Sequence, residues 1–151
     1  MDDKTLNNTL DVLMHDHPII MRIIHRSIFK AGLETLGENI SPPHLLIMRM
    51  LYEAGTLHVT GIGGELLIPK PQMTYLIDEL INLGMVERHS NQVDRRKVNI
   101  SLTDKGRTTV EKCDGIMRNI IKTKLSSLKD EDLEELSASV QKVKDILSKL
   151  Q

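Results

Sequence analysis

The residues best equipped for chemistry in this chain are six histidines and one cysteine. His15, His17 and His25 lie close together near the start. On a regular helix, positions i and i+2 point about 200° apart, so His15 and His17 cannot share a metal there. His17 and His25 fall on one face but about 12 Å apart along the axis. With no HxxxH and no Cys/His grouping, these histidines read as surface or interface residues, and no metal is expected. Cys113 has no second cysteine with which to form a disulfide or a CxxC ligand pair, so it reads as inert packing. Gly61-Ile62-Gly63-Gly64 lacks the Lys and Ser/Thr of a phosphate loop, and no GxSxG elbow or paired acidic motif occurs. The expectation is a protein that is not an enzyme and carries no cofactor.

What remains is binding chemistry, and charge locates it. The chain has a formal net charge of −1, yet Arg88 to Arg107 holds six bases against two acids. Residues 1–40 and 126–151 each hold four bases and six acids. A basic stretch of this kind suits a polyanion. Phe29, Tyr52 and Tyr75 are the only aromatic residues, which disfavours the stacking platforms of single-strand binders. A core of Leu, Ile, Val and Met must do the packing. At 151 residues a single domain is expected. The acidic start and the absence of a long apolar run predict a cytoplasmic protein with no membrane partner.

The elements that must position the charge follow from periodicity and punctuation. Leu10, Leu13, Met14, Met21, Ile24 and Ile28 form a helical stripe, with Pro18 expected to kink that helix or start a new one before it ends near Leu36. Ser41-Pro42-Pro43 opens a helix that runs to about Ala54. Thr56–Thr60 is β-prone, and Gly61–Leu67 predicts a short helix weakened by its glycines. Pro69 to Leu83 predicts a helix ending at Gly84, with Met73, Leu76, Ile77, Leu80 and Ile81 on one face. Met85–Ser90 and Lys97–Leu102 predict a hairpin, with Val98, Ile100 and Leu102 inward. Thr103 is the expected N-cap of a long helix, and Leu133, Leu136, Val140, Val143, Leu147 and Leu150 stripe a final one.

Two short helices followed by a hairpin form a winged helix-turn-helix pattern, whose second helix suits the major groove of duplex DNA. The residues also carry a family likeness: Leu80-Ile81-Asn82-Leu83-Gly84-Met85-Val86-Glu87-Arg88, Val93-Asp94-Arg95-Arg96-Lys97-Val98, and Ser101-Leu102-Thr103-Asp104-Lys105-Gly106. This resembles the multiple antibiotic resistance regulator (MarR) family. The resemblance implies a mainly α fold with a small β-hairpin wing, its DNA-binding lobe at residues 41–103 and a helical dimerisation platform at 1–40 and 104–151. It implies a homodimer, with the first, fifth and sixth helices interleaved, that reads a palindrome on double-stranded DNA.

Carried onto this sequence, the resemblance makes Asp94 a brace for the wing and Arg96 the side chain entering the minor groove, with Arg88, Arg95 and Lys97 beside them. An arginine there meets enhanced negative potential. Lys70, Gln72, Thr74 and Tyr75 are the expected contacts of the recognition helix, because the N-terminal residues of such a helix meet the DNA first. That helix opens with Pro69-Lys70-Pro71, where the family has Ser or Thr. Met14, Met21, Met48 and Met50, together with His17, sit on helices expected to enclose a cleft, so Met14, His17, Met21 and Met48 are the expected lining of an effector pocket. Two functions follow from these residues. One is a dimeric regulator, a repressor in the commoner case, released by a small-molecule effector. The other is a winged-helix interaction module that has lost DNA binding.

Overall fold

The computed structural model describes residues 3–90 and 98–150. It divides the chain into two compact units, Met1–Met117 and Arg118–Gln151.

The first unit opens with α1 (Asp3–Asp11), α2 (His17–Ile24) and α3 (Ala31–Leu36), joined by π-helical stretches at Val12–Asp16 and His25–Lys30. Of the two expectations for Pro18, the structure bears out the second: a new α-helical segment, α2, starts at His17 with the proline in its first turn. Pro18 takes one of the first two positions of α2, and the backbone N–H of His17 reaches back to the carbonyl of Val12. A wider turn ahead of the proline absorbs its missing donor and its ring. Gly37 then ends the segment in the left-handed conformation, at φ 73°.

Ser41 caps α4 (Pro42–Ala54) in a reciprocal box whose other member is His44. A strand of two residues, β1 (Leu57–His58), leads into α5 (Val59–Glu65), and a tight turn leads to α6 (Lys70–Asn82). The strand is shorter than Thr56–Thr60 predicts, and α5 begins and ends two residues earlier than Gly61–Leu67. The hairpin strands are β2 (Val86–Ser90) and β3 (Val98–Leu102), followed by α7 (Asp104–Leu125). The sheet has three strands rather than two, because β1 joins the free edge of β3 in the order β1-β3-β2, all antiparallel. Val86 pairs with Leu102 at the base and Ser90 with Val98 near the tip. Val86 is buried, and of the three β3 residues expected inward only Ile100 is. Val98, expected inward, is exposed because it lies beyond the core at the tip end of the strand.

The core of this unit is aliphatic and sulfur-rich, built from Leu45, Ile47, Met48 and Leu51 of α4, Ile62 of α5, and Met73, Ile77 and Leu80 of α6. Met85, Ile100 of β3, and Val110 and Cys113 of α7 complete it. The inward stripe predicted for the helix after Pro69 is the face α6 buries. Polar ties fasten α7 to α4: Arg49 pairs with Asp114, Tyr52 donates to Glu111 at 3.0 Å, and the Arg107 guanidinium sits 5.0 Å above the Tyr52 ring.

The Leu-Thr-x-x-Gly run is a junction. Thr103 caps α7 by accepting the Gly106 N–H at 3.0 Å, and the same hydroxyl donates to the Gly84 carbonyl at 2.6 Å. The Thr103 N–H binds the Met85 carbonyl at 3.0 Å, and Lys105 Nζ binds the Leu83 carbonyl at 2.8 Å. Gly84 itself ends α6 at φ 72°. Gly106 lies against the Met85 carbonyl so closely that a Cβ would overlap it.

The second unit contains α8 (Asp130–Leu147) and a single 3-10 turn, Ser148–Leu150. Three acids occupy the first turn of α8, where the helix dipole favours them. Its Leu136, Val140, Val143 and Leu147 are exposed, as are Leu6, Leu10, Leu13 and Met14 along the first helices of the other unit. No helix among the described residues is long and apolar enough to cross a membrane.

Gly106→Ala is expected to lower stability in urea denaturation by about 3 kcal/mol, because the obstacle is backbone and cannot rotate away. Gly61→Ala, whose Cβ would meet nothing within 4 Å, should instead gain about 0.5–1 kcal/mol from helix propensity.

Candidate nucleic-acid interface

The exposed face of α6 carries Lys70, Gln72, Thr74, Tyr75 and Asp78, opposite the buried Met73, Leu76, Ile77 and Leu80. The four recognition-helix residues expected from sequence therefore share one accessible surface. Thr74 Oγ1 donates to the Lys70 carbonyl at 3.1 Å, which leaves its methyl and its hydroxyl oxygen outward. The helix begins with Pro69 as its N-cap, with no side-chain cap, and Pro71 in its first turn. Neither proline offers an N–H, so the start of α6 has fewer backbone donors for a phosphate than an ordinary helix start.

Tyr75 is held rather than free. Its hydroxyl donates to Glu79 Oε1 at 2.8 Å, one turn further along α6. The other carboxylate oxygen of Glu79 stands 3.2 Å from Nε2 of His44, which is buried. Nδ1 of His44 accepts the Ser41 N–H at 3.1 Å, so the neutral ring carries its proton on Nε2, toward Glu79. Burial lowers the pKa of His44, and it outweighs the opposing pull of the Glu79 carboxylate. The imidazole is thus neutral at neutral pH, and its Nε2 stands beside the Glu79 carboxylate without the alignment of a full hydrogen bond. The carboxylate raises the pKa of the Tyr75 phenol through their hydrogen bond. A cap of α4 is in this way linked to the exposed polar surface of α6. Sequence reading missed this chain of contacts, although His in the third position after Ser41, where Glu or Gln usually closes a capping box, was a visible signal.

The basic segment is less available than its charge count implies. Arg88, expected to touch DNA from the wing, pairs with Asp78 of α6. Lys105 closes the end of α6, and Arg107 covers Tyr52. Asp94, Arg95, Arg96 and Lys97 lie outside the described residues. The half-exposed Arg88–Asp78 pair ties the base of the wing to the recognition helix.

A cavity of about 650 Å³ opens between α5, α6 and the sheet, lined by apolar Val59, Leu67, Met73 and Ile77 and by polar Lys70, Thr74 and Arg88. The four residues expected to line an effector pocket lie apart from this cavity. Met48 is sealed in the core, Met14, His17 and Met21 are exposed, and none of the four lines this cavity. Cys113 is fully buried, and burial raises its pKa, which suppresses the reactive thiolate. Among the described residues, no three His, Cys, Asp or Glu side chains converge as metal ligands.

Comparison with known proteins matches residues 38–97 to the MarR family. The HTH-type transcriptional repressor MdtR of Bacillus subtilis is 27% identical over 124 residues, spanning 82% of this chain and 80% of that protein. The organic hydroperoxide resistance transcriptional regulator of Bacillus subtilis is 31% identical over 102 residues, 68% of each chain. Among solved structures, the YusO protein from Bacillus subtilis superposes with a TM-score of 0.70 at 25% identity, covering 89% of this chain and 96% of that one.

His44 makes stability depend on pH in a defined direction. The unfolded chain takes up a proton as the pH falls through about 6.5, while the folded chain resists it until lower pH. Stability should therefore fall below about pH 6.5 and level off only once the folded imidazole also titrates. In urea denaturation at a series of pH values, His44→Gln, which retains an acceptor for the Ser41 N–H, should flatten that decline.

Proposed function

Because this chain belongs to the MarR family of winged helix-turn-helix transcriptional regulators, we propose that it binds a palindromic duplex operator as a homodimer and acts as a repressor. The observation that carries this reading is the exposed polar face of α6 beside the hairpin β2–β3; the sequence between those strands supplies Arg95, Arg96 and Lys97. Lys70 stands at the end of α6 that meets backbone and base edges first. Dimerisation is supported by the apolar stripes left uncovered along α1 to α2 and along α8. Exposed leucines and valines at helical spacing are what a partner helix covers. A second copy would also supply the second half-site reader that a palindrome requires.

Release by a small molecule is supported by the cavity between α5, α6 and the sheet. A ligand there sits among Lys70, Thr74 and Arg88, so it competes with DNA for the same side chains. The competing reading, a winged-helix interaction module without DNA binding, draws on the two prolines at the start of α6. The wing cations and the accessible α6 face favour DNA.

Duplex binding measured across salt concentrations decides between them. Log affinity should fall steeply and linearly with log salt, and Lys70→Ala or Arg96→Ala should each reduce the slope by about one. Failure to bind any duplex at low salt would leave the interaction module standing. Sedimentation at micromolar concentration should give a dimer.

A further inference from the structure

The turn between α5 and α6 contains an unfavourable residue. Leu67 has φ 55°, the only positive φ outside glycine among the described residues. It is also 88% exposed, more than any other large hydrophobic residue in the described chain. The turn closes α5 as a Schellman cap. Ile68 N–H returns to the Gly63 carbonyl at 2.9 Å, and Leu67 N–H reaches the Gly64 carbonyl at 3.4 Å. Glycine or asparagine fits that left-handed position with little or no strain, and either would remove an exposed apolar side chain. Leucine is unfavourable there on both counts, and its side chain stands at the mouth of the cavity beside α6 rather than in the core.

Its surroundings identify what it meets. Leu67 lies three residues before Lys70, the first residue of α6, and is followed by Pro69 and Pro71. The leading edge of the recognition helix is therefore apolar, with a single cation in it. The floor of the major groove displays one apolar group, the C5-methyl of thymine. We propose that Leu67 is a specificity-determining residue that packs on a thymine methyl in each half-site, its backbone strain tolerated for that contact. This rests on α6 being the recognition helix.

The probe is a duplex enriched by the wild-type protein from a random library, prepared with uracil replacing thymine one position at a time. For wild type, one position per half-site should lose about three- to fivefold in affinity when its methyl is removed. Leu67→Gly should lose a similar factor on the thymine duplex and become insensitive to uracil at that position, the non-additivity expected of two groups in contact. Its thermal midpoint should be held or raised. Leu67→Asn, which also suits the left-handed backbone, should behave as Leu67→Gly does. The proposal is overturned if both variants bind the thymine duplex as wild type does, if uracil sensitivity persists in them, or if both variants unfold at lower temperature. Enrichment of no sequence by the wild type overturns it together with the DNA-binding reading, whereas enrichment with indifferent Leu67 variants overturns it alone.

Discussion

The first turn of α7 is pressed against the backbone that enters β2, with Gly106 under the Met85 carbonyl and no room for a methyl group between them. The placing of the exposed α6 face beside the wing strands hangs on this approach. Thr103 closes it with one hydroxyl, which accepts from the start of α7 and donates to the turn that ends α6. The end of the recognition helix, the first wing strand and the long helix therefore share a single junction of a few residues. Burial does the rest. Once α7 is seated, Val110 and Cys113 join Leu45, Met48 and Leu51 of α4 and Met73, Ile77 and Leu80 of α6 in one buried core. Aliphatic burial on this scale supplies most of the favourable free energy, while the junction decides which arrangement of helices receives it.

Much of this architecture was legible in the sequence where the signal is local. Gly37 and Gly84 end helices in the left-handed conformation, Ser41 and Thr103 begin them, and the 3.6-residue stripe after Pro69 became the buried face of α6. Each of these depends on one residue and its near neighbours. The features that escaped depend on residues far apart in the chain. The β-prone run Thr56–Thr60 announces the short strand β1, but nothing local to it says that β1 pairs with the free edge of β3. The tie between His44 and Glu79 joins α4 to α6, and that between Asp78 and Arg88 joins α6 to β2. Pro18 does begin a new segment, as its cost inside a regular helix requires, but the π turn that joins that segment to α1 has no signal of its own in the sequence.

The candidate site shows the same division. Lys70, Gln72, Thr74 and Tyr75 could be placed on one face from periodicity alone, and they share it. The effector pocket could not, because Met14, His17, Met21 and Met48 were grouped by their flexibility and general location rather than by any spacing that forces them together. Met48 belongs to the inward stripe of α4, which takes it out of reach of a ligand. Charge counting had a related weakness. A sum over residues 88–107 treats Arg88, Lys105 and Arg107 as equivalent to the wing tip, yet all three have partners within the fold. Their charges still contribute to the field, but their donors are committed.

These ties also say where the lobe can yield. Helix α6 is held on its inner face by close-packed Met73, Leu76, Ile77 and Leu80, and truncating one such residue costs about 2–5 kcal/mol. On its outer face it is held to β2 by Asp78 and Arg88, both about half exposed, a class of pair worth at most about 1 kcal/mol. The cavity lies on that weaker side, with Arg88 in its wall. A ligand there could draw Arg88 from Asp78 and shift the wing for a differential affinity of only several-fold. Displacing α6 from the core would require a far larger preference. Under the proposed release by a ligand in this cavity, the change falls on β2, with α6 as the fixed part against which it moves.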